Sequence, residues 1–565
     1  MAMTSRRTKA PTGWRLWALR VVLAVFLPLA LLLALEGSLA ILDFGYPTDF
    51  ALEVDDTGRY GMNLRFGWRF FPESIARSSL LFSFPADKPP DTYRIFVLGA
   101  SAAQGYPRGA FSFSRMLEVI LEDACPETDF EIVNTSIVAT NSHVVLPIAR
   151  ECAGYEPDMF LVYLGNNEVI GPYGLGSSAT RTAGSLGAVR AGIALRSTRT
   201  GQLIQSAINR LRGDDDLLEN WGGMEMFAEQ YVTVDDPALD PVYANFAANL
   251  RDIRRAASDA GAEIVFSTVA VNVWDGAPFA SRHRDGLSDE DLIAWSGALA
   301  DGLAAFEEGR LSAADEALAR AAALDDRHAE LAWRRGRLAL ALGDTSTAES
   351  HFKVAKELDV LRFRADERIN DVIRETALAP GDRPAYLVDA AAVFAEFGPD
   401  LAANSLERRF YEHVHLTFTG HYDLAAAVYP VVARALPESI RRGSVGPPSS
   451  RERCAEALLW SDWEAVQTVQ MLLTLLNDPP FPERADHAEV TARWRAVVTD
   501  LQAGLDRGKL LQLLPAYEAR VAADPTDMLT RTLYADLLRA VGENGKARRQ
   551  WQFIERHQPP MDWKH

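Results

Sequence analysis

Five continuous apolar runs constrain the fold of this chain more than any other feature of its sequence. They begin at Tyr93, Phe130, Asp158, Ala262 and Ala385, and they read YRIFVLGA, FEIVNTS, DMFLVYLG, AEIVFSTVAV and AYLVDA. Strands that lack a polar alternation are typically buried on both faces, as in parallel sheets. Helix-like segments such as FSRMLEVILEDA separate the runs. The alternation therefore predicts an α/β domain in which helices sandwich a parallel sheet.

A longer apolar segment lies near the N-terminus. Residues 17–42 contain about 20 mostly apolar residues, which is the length needed to cross a bilayer. The cations before this segment and in its first turn are Arg6, Arg7, Lys9, Arg15 and Arg20. This asymmetry predicts a cytoplasmic segment at 1–16, a transmembrane signal anchor at 17–42 and a periplasmic or otherwise extracytoplasmic remainder. A cleaved signal peptide is the alternative, but the run exceeds the usual core of about 7–15 residues, which favours an uncleaved anchor.

Composition excludes several classes of protein. The net charge of −19 opposes a polyanionic partner, so we expect no nucleic acid binding. Three cysteines are too few for a disulfide framework; a Cys125–Cys152 bridge is an option, but free buried thiols are favoured. No cysteine, histidine or carboxylate pattern has metal-ligand spacing, and GASAAQG lacks the lysine of a phosphate-binding loop. We therefore expect neither a metal nor another cofactor.

Residues 296–360 interrupt the alternation with a repeat of period 34. The matched positions are Gly302 and Gly336, Gly309 and Gly343, Ala314 and Ala348, Leu318 and Phe352, Ala321 and Ala355, and Asp325 and Asp359. Small residues at helix crossings with this period resemble the tetratricopeptide repeat. A weaker repeat in residues 450–565 pairs Gly508 with Gly542. These helices either only stabilise the fold or form a groove for a peptide, protein or polymer.

Four short polar motifs carry the candidate chemistry. Three of them follow predicted strands and read GAS, ending at Ser101, NTSIVATNS, from Asn134, and GNNE, ending at Glu168. The fourth, FYEHVHLTFTGHYD, contains Glu412 and His415. Sites in open α/β sheets lie at the carboxyl ends of the strands. A hydroxyl nucleophile, amide donors and an acid beside an imidazole are what acyl transfer requires.

In order and spacing these motifs resemble the four sequence blocks of the SGNH, or GDSL, hydrolase superfamily over residues 91–435, with the repeats inserted before the last block. The resemblance implies a flavodoxin-like three-layer α/β/α sandwich and a serine esterase or acyltransferase. It also implies that the serine of the first block is the nucleophile and the histidine of the last block is the base.

Carried onto this sequence, the resemblance implies that Ser101 is the nucleophile and His415 the base. The implied oxyanion hole consists of the backbone N–H groups of Ser101 and Ala139 and the side-chain amide of Asn167. Ala139 stands where the family has glycine, so its backbone must adopt angles suited to that position. Glu412 stands where the family has aspartate, so either its carboxylate or a backbone carbonyl orients His415.

Together these inferences divide the chain beyond the anchor into five parts. They are a juxtamembrane region at 43–90, a hydrolase domain in two parts at 91–295 and 361–435, the inserted repeats at 296–360 and a C-terminal helical region at 450–565. The leading hypothesis is a membrane-anchored extracytoplasmic serine esterase acting on an acyl ester. One alternative is an O-acyltransferase acting on an envelope or secreted polysaccharide, with an acylated glycan as substrate. The other is a scaffold whose repeats bind a protein partner and whose hydrolase site is vestigial.

Overall fold

The computed structural model describes residues 13–175, 185–212, 231–399, 405–441 and 446–560. Most of the predicted cytoplasmic segment, residues 1–12, lies outside this described part. The chain divides into two compact units, residues 1–48 with 184–220 and residues 49–183 with 221–565. The first unit contains the apolar N-terminal helix, and the second contains all the β-strands that the structure describes.

The second unit contains eight strands in the described residues. The strands are β1 (Ala51–Val54), β2 (Arg59–Met62), β3 (Ser83–Pro85), β4 (Thr92–Gly99), β5 (Asp129–Asn134), β6 (Met159–Tyr163), β7 (Glu263–Ser267) and β8 (Ala385–Val388). The helices, in chain order over both units, are α1 (Gly13–Ile41), α2 (Ser101–Gln104), α3 (Phe113–Ala124), α4 (Ser142–Cys152), α5 (Leu186–Arg196), α6 (Arg199–Arg212), α7 (Leu239–Asp259), α8 (Asp289–Glu307), α9 (Leu311–Leu324), α10 (Ala329–Ala341), α11 (Thr345–Leu358), α12 (Glu367–Leu378), α13 (Ala390–Glu396), α14 (Phe418–Ala435), α15 (Glu438–Arg441), α16 (Arg451–Ala457), α17 (Asp462–Leu476), α18 (His487–Ala503), α19 (Arg507–Ala523), α20 (Met528–Ala540) and α21 (Asn544–Arg556).

The five predicted strands form one parallel sheet, which confirms the α/β prediction. Its order is β5-β4-β6-β7-β8, which is the 2-1-3-4-5 order of doubly wound sheets. Helices α3 and α14 pack together over this sheet, and α4, α7 and α12 form a second packed group. The register places Gly99, the last residue of β4, opposite Tyr163, the last residue of β6. The carboxyl ends of these two neighbouring strands therefore lie side by side.

A small antiparallel sheet in residues 51–85 was not predicted from the sequence. Strands β1, β2 and β3 pair in that order, and the turn between the first two uses positive φ at Asp56 and Gly58. Phe84 of β3 packs edge-on against Phe96 of β4, with ring centroids 5.7 Å apart. Strands of three or four residues carry too short a pattern to be recognised by alternation. The small sheet covers part of the parallel sheet's core.

The region with the 34-residue period consists of two packed helix pairs, α8 with α9 and α10 with α11. Matched residues make matched contacts in the two pairs. Gly302 faces Leu318, and Gly336, 34 residues later, faces the ring of Phe352. At both positions a Cβ atom would lie 2.6 Å from the facing side chain. Glycine therefore lets the two helices of each pair approach closely.

Replacing Gly302 by alanine is expected to lower the free energy of unfolding by about 1–3 kcal/mol, because the new methyl group would overlap Leu318. Gly297 in the same helix is the matched control: it is exposed, and a methyl group there would meet no other described atom within 4 Å. Gly297→Ala should instead stabilise the helix by about 1 kcal/mol. Urea-induced unfolding of the two variants measures both effects, and equal shifts would contradict the close-approach explanation.

The C-terminal helices are fixed to the α/β part by buried polar contacts. Arg108, beyond the end of β4, pairs with Glu464 of α17 at 3.1 Å, and Arg115 of α3 pairs with Asp527. Gln558 accepts a hydrogen bond from Met62 N at 3.2 Å and donates one to Phe82 O at 2.9 Å. The three cysteines of the chain are buried and free.

Candidate active site

Ser101 is the first residue of a short helix that follows β4 directly. Gly99 is required just before it, since a Cβ atom there would lie 2.5 Å from Tyr163 O on the neighbouring strand. The carbonyl of Ser101 accepts hydrogen bonds from Gly105 N at 3.1 Å and Tyr106 N at 3.0 Å. Its side chain is half-buried. The turn thus presents the serine hydroxyl at the carboxyl edge of the sheet.

Asn134, the last residue of β5 and the first of the second motif, holds the Ser101 turn in place. Its amide donates to Ala103 O at 2.9 Å, and Gln104 Nε2 donates to Ser136 O at 2.9 Å. These bonds span the carboxyl ends of the neighbouring strands β4 and β5. They hold the Ser101 turn, in which the residue before the serine is Ala100.

The predicted amide donors lie on two adjoining loops. Ala139 is exposed and has φ +57°, so its backbone is in the left-handed region despite its Cβ atom. Asn167 Nδ2 donates to the carbonyl oxygen of Thr140, the residue after Ala139, at 3.0 Å. The second and third motifs are therefore joined directly beside the predicted oxyanion hole.

Glu168 joins the same two loops from the buried side. Its carboxylate accepts hydrogen bonds from Ser142 N at 2.8 Å and Ser142 Oγ at 2.7 Å. Burial raises the pKa of Glu168 to about 7, and the two bonds from Ser142 oppose that shift. This carboxyl faces the start of α4 and acts as a brace for the loops.

Glu412 is fully buried at the centre of the fourth motif, and its carboxylate accepts two backbone hydrogen bonds. The backbone N–H groups of His413 and His415 donate to its two oxygens at 2.6 Å and 2.9 Å. The Nδ1 atom of His415 lies 2.5 Å from Oε1, and the Nδ1 atom of His413 contacts Oε2. The Nδ1 atoms of both imidazole rings thus lie beside one carboxylate, although neither forms a hydrogen bond in the described part of the chain. We call Glu412, His413 and His415 the acid–imidazole cluster.

The cluster is anchored by a residue that the sequence analysis did not identify. Asn272, in the loop after β7, donates from its side chain to Glu412 O at 2.8 Å and from its backbone to His413 O at 2.8 Å. Its position beyond the end of a predicted strand was the available signal, since that edge carries the other motifs. Gly420 is also required, because a Cβ atom there would collide with Arg409 O.

Burial keeps the imidazoles of the acid–imidazole cluster uncharged. It lowers the pKa of His415 to about 3. Burial also lowers the pKa of His413 well below its usual value, with nearby His415, Arg484 and Arg364 acting in the same direction. Phe279 packs against the His413 ring with centroids 4.8 Å apart. A neutral imidazole is the form that can accept a proton.

Tyr106 connects the serine turn to the cluster. Its N–H donates to Ser101 O at 3.0 Å, and its ring lies against the His415 ring with centroids 4.9 Å apart. The structure therefore brings Ser101 and His415 to one neighbourhood across more than 300 residues of sequence. Nε2 of His415 is buried and has no hydrogen-bond partner in the part of the chain that the structure describes, so Ser101 Oγ does not bond to it in this conformation.

The remaining histidine of the motif, His421, makes its hydrogen bond to a different element. Its Nδ1 accepts a hydrogen bond from Phe113 N, the first residue of α3, at 3.2 Å. His421 therefore provides the hydrogen-bond acceptor for the first N–H group of α3. Within the described ranges, no three histidine, cysteine or carboxylate side chains are grouped as metal ligands would be.

Comparisons with known proteins do not identify a function for this site. No family model and no curated protein matches the chain. Among solved structures, that of an acetyl xylan esterase, AlAXEase, aligns with a TM-score of 0.27 and 10% sequence identity, over 60% of this chain and 99% of that chain. A likeness with so low a TM-score carries no argument about activity.

Proposed function

We propose that this chain is a membrane-anchored serine esterase of the SGNH type, with Ser101 as nucleophile and His415 as base. The observation that carries the proposal is the position of the buried Glu412 carboxylate beside Nδ1 of His415. The His415 ring also packs against Tyr106, whose N–H donates to Ser101 O. A carboxylate on one imidazole nitrogen fixes the tautomer and leaves the other nitrogen as a proton acceptor. A buried, unpartnered Nε2 beside a serine turn is otherwise costly to maintain.

The proposed reaction proceeds through an acyl-enzyme. The Ser101 hydroxyl oxygen attacks the ester carbonyl carbon while its proton moves to Nε2 of His415. The bond between carbonyl carbon and alkoxy oxygen then breaks, and the same proton passes to the departing alcohol. Water next attacks the carbonyl carbon of the acyl-enzyme and gives a proton to Nε2. The bond between that carbon and Ser101 Oγ then breaks, the proton passes from Nε2 to Oγ, and the acid and free Ser101 are released. An acyltransferase would use a sugar hydroxyl in place of that water.

The proposed oxyanion hole uses the N–H groups of Ser101 and Ala139 and the Nδ2 group of Asn167. The left-handed backbone at Ala139 is the conformation that its position needs. An amide nitrogen carries two hydrogens, so Asn167 can bond Thr140 O and still donate to the oxyanion. Each such donor contributes about 2.7–4 kcal/mol of transition-state stabilisation in a preorganised site.

The proposal includes the placement of the enzyme. Helix α1 contains a stretch, Leu16–Ile41, that is long and apolar enough to span a membrane, and the cations before it favour an extracytoplasmic catalytic unit.

The close helix pairs α8–α9 and α10–α11, with glycines at the crossings, support tetratricopeptide-like repeats as their classification.

A fluorophosphonate probe tests the nucleophile. The folded full-length protein should be labelled on one site, and mass spectrometry should place the label on the peptide that contains Ser101. Ser101→Ala should abolish labelling. The matched control is Ser136→Ala in the second motif, because that hydroxyl is buried without a hydrogen-bond partner among the described residues and its loss should leave labelling intact. A folded wild-type protein that is not labelled would contradict the proposal and favour a scaffold.

A further inference from the structure

We propose that helices α5 and α6 lie on the lipid surface of the membrane that α1 enters, with the apolar face of α6 in the interfacial layer of an anionic bilayer. The inference goes beyond esterase activity and rests on the proposed anchoring by α1. It makes this unit a lipid-binding module in its own right rather than a plain tether.

The charge of this region differs from that of the rest of the chain. Helices α5 and α6 contain no aspartate or glutamate, whereas the whole chain has a net charge of −19. Their cations are Arg190, Arg196, Arg199, Arg210 and Arg212, and the acidic residues Asp214, Asp215, Asp216 and Glu219 follow α6 in the sequence. A local basic segment in an acidic chain is attracted to anionic phospholipid headgroups, while the remaining surface is repelled.

Glu36 fixes the start of α6 at the level of the membrane interface. Its carboxylate accepts hydrogen bonds from Arg199 N and Thr200 N, both at 2.8 Å, and from Thr200 Oγ1 at 2.7 Å. A carboxylate at a helix N-terminus is favoured by the free N–H groups and the helix dipole. These bonds also satisfy a charge that would otherwise be costly within an apolar span.

The depth of that contact follows from helix geometry. Glu36 lies five residues before Ile41, the last residue of α1, which is about 8 Å along the helix axis. The polar headgroup layer on each side of a bilayer is about 5–8 Å thick. If α1 ends at the outer limit of that layer, Glu36 and the first turn of α6 lie where headgroups meet hydrocarbon.

Helix α6 has the amphipathic pattern of an interfacial helix. Its apolar side includes Ile204 and Ile208, which are 46% and 37% exposed. On the opposite side, Gln202 accepts a hydrogen bond from Tyr46 N at 2.9 Å and donates one to Tyr46 O at 3.1 Å. The exposed apolar side is therefore not covered by the described part of this unit. Such a face, with arginines at its border, fits the boundary between headgroups and acyl chains.

Lipid is the occupant that these observations favour over a protein partner. Helix α6 packs against α1, whose apolar side chains are mostly exposed, so lipid that surrounds α1 would also reach α6. Leu195 of the neighbouring α5 adds a further apolar side chain, 49% exposed, to the same unit. No additional partner is needed to cover it.

Site-specific fluorescence in reconstituted vesicles tests the inference. The full-length protein would be placed in phosphatidylethanolamine–phosphatidylglycerol vesicles with one introduced cysteine carrying an environment-sensitive nitrobenzoxadiazole dye. The three native cysteines are buried, so an exposed new thiol can be labelled selectively. Ile204→Cys samples the apolar side of α6, and Asn209→Cys, also exposed, samples the polar side as its matched control. Leu195→Cys repeats the measurement on α5 if the first variant fails to fold.

We expect aqueous iodide to quench the dye several-fold less at position 204 than at position 209, and lipids with doxyl groups to quench it several-fold more. Equal iodide quenching at both positions, in protein that stays in the vesicles after alkaline carbonate washing, would overturn the inference while leaving the anchor intact. Protection at 204 without doxyl quenching would mean that protein covers the face, which also overturns it. Release of the protein by carbonate would refute the proposed anchoring, and the inference with it.

Discussion

Replacing His415 by alanine is expected to lower kcat/KM for p-nitrophenyl acetate by about 10⁶-fold, the order seen when the base of a serine triad is removed. The physical reason is that Nε2 of His415 is an unpartnered proton acceptor among the described residues and belongs to the ring that packs against Tyr106, whose N–H donates to Ser101 O. Without it, the serine hydroxyl would have to lose its proton to water in a buried site. Steady-state hydrolysis and the rate of fluorophosphonate labelling should fall together.

His421 provides the control for this variant. It is also a buried imidazole in the same motif, but its Nδ1 accepts from Phe113 N at the start of α3. His421→Gln keeps an acceptor near that N–H, so activity is expected to stay within about tenfold of the wild type. If His415→Ala retained comparable activity in a folded protein, His415 would not be the base.

The sheet could be predicted from the sequence because its strands carry their pattern locally. Residues 95–98 of β4 are completely buried, so every position there is apolar and the run is visible without any knowledge of the fold. The short strands β1 to β3 could not be predicted in this way. Their pairing depends on contacts such as that of Phe84 with Phe96, which only the assembled chain creates.

The same distinction between a local sequence pattern and a long-range contact applies to the candidate site. Ser101, Ala139, Asn167, Glu412 and His415 stand in motifs whose order and spacing are visible in one dimension. The partners that position them are not visible there. Asn272 reaches Glu412 O across 140 residues of sequence, and Tyr106 meets the His415 ring across a still longer separation.

The acid–imidazole cluster is the clearest example of an arrangement that could not be predicted from the sequence. The sequence places His413 next to Glu412 but does not indicate that the imidazoles of His413 and His415 both lie beside the Glu412 carboxylate. The structure bears on both ways of orienting His415: in the described part of the chain the Nδ1 atom of this ring lies beside Glu412 Oε1 but forms a hydrogen bond neither with that carboxylate nor with a backbone carbonyl.

Glu412→Gln is therefore expected to lower kcat/KM by about 10³- to 10⁴-fold, less than the loss of the base itself. The carboxylate accepts hydrogen bonds from two backbone N–H groups and lies beside two imidazole nitrogens. Glutamine offers an oxygen to one side but an NH₂ group to the other, where it would face donors. When it faces His415, the ring must turn its proton to Nε2, which is the nitrogen that has to accept the proton of Ser101.

The control for this variant is Glu407→Gln. Glu407 is 46% exposed in its side chain and pairs with Arg451 at 2.5 Å, and neutralising an exposed ion pair costs little. Its kcat/KM for the same ester should remain within about twofold of the wild type. Because both variants remove one negative charge at constant size, a selective loss in Glu412→Gln isolates the orientation of His415 from general electrostatics. An equally small effect of both substitutions would mean that Glu412 does not orient the base.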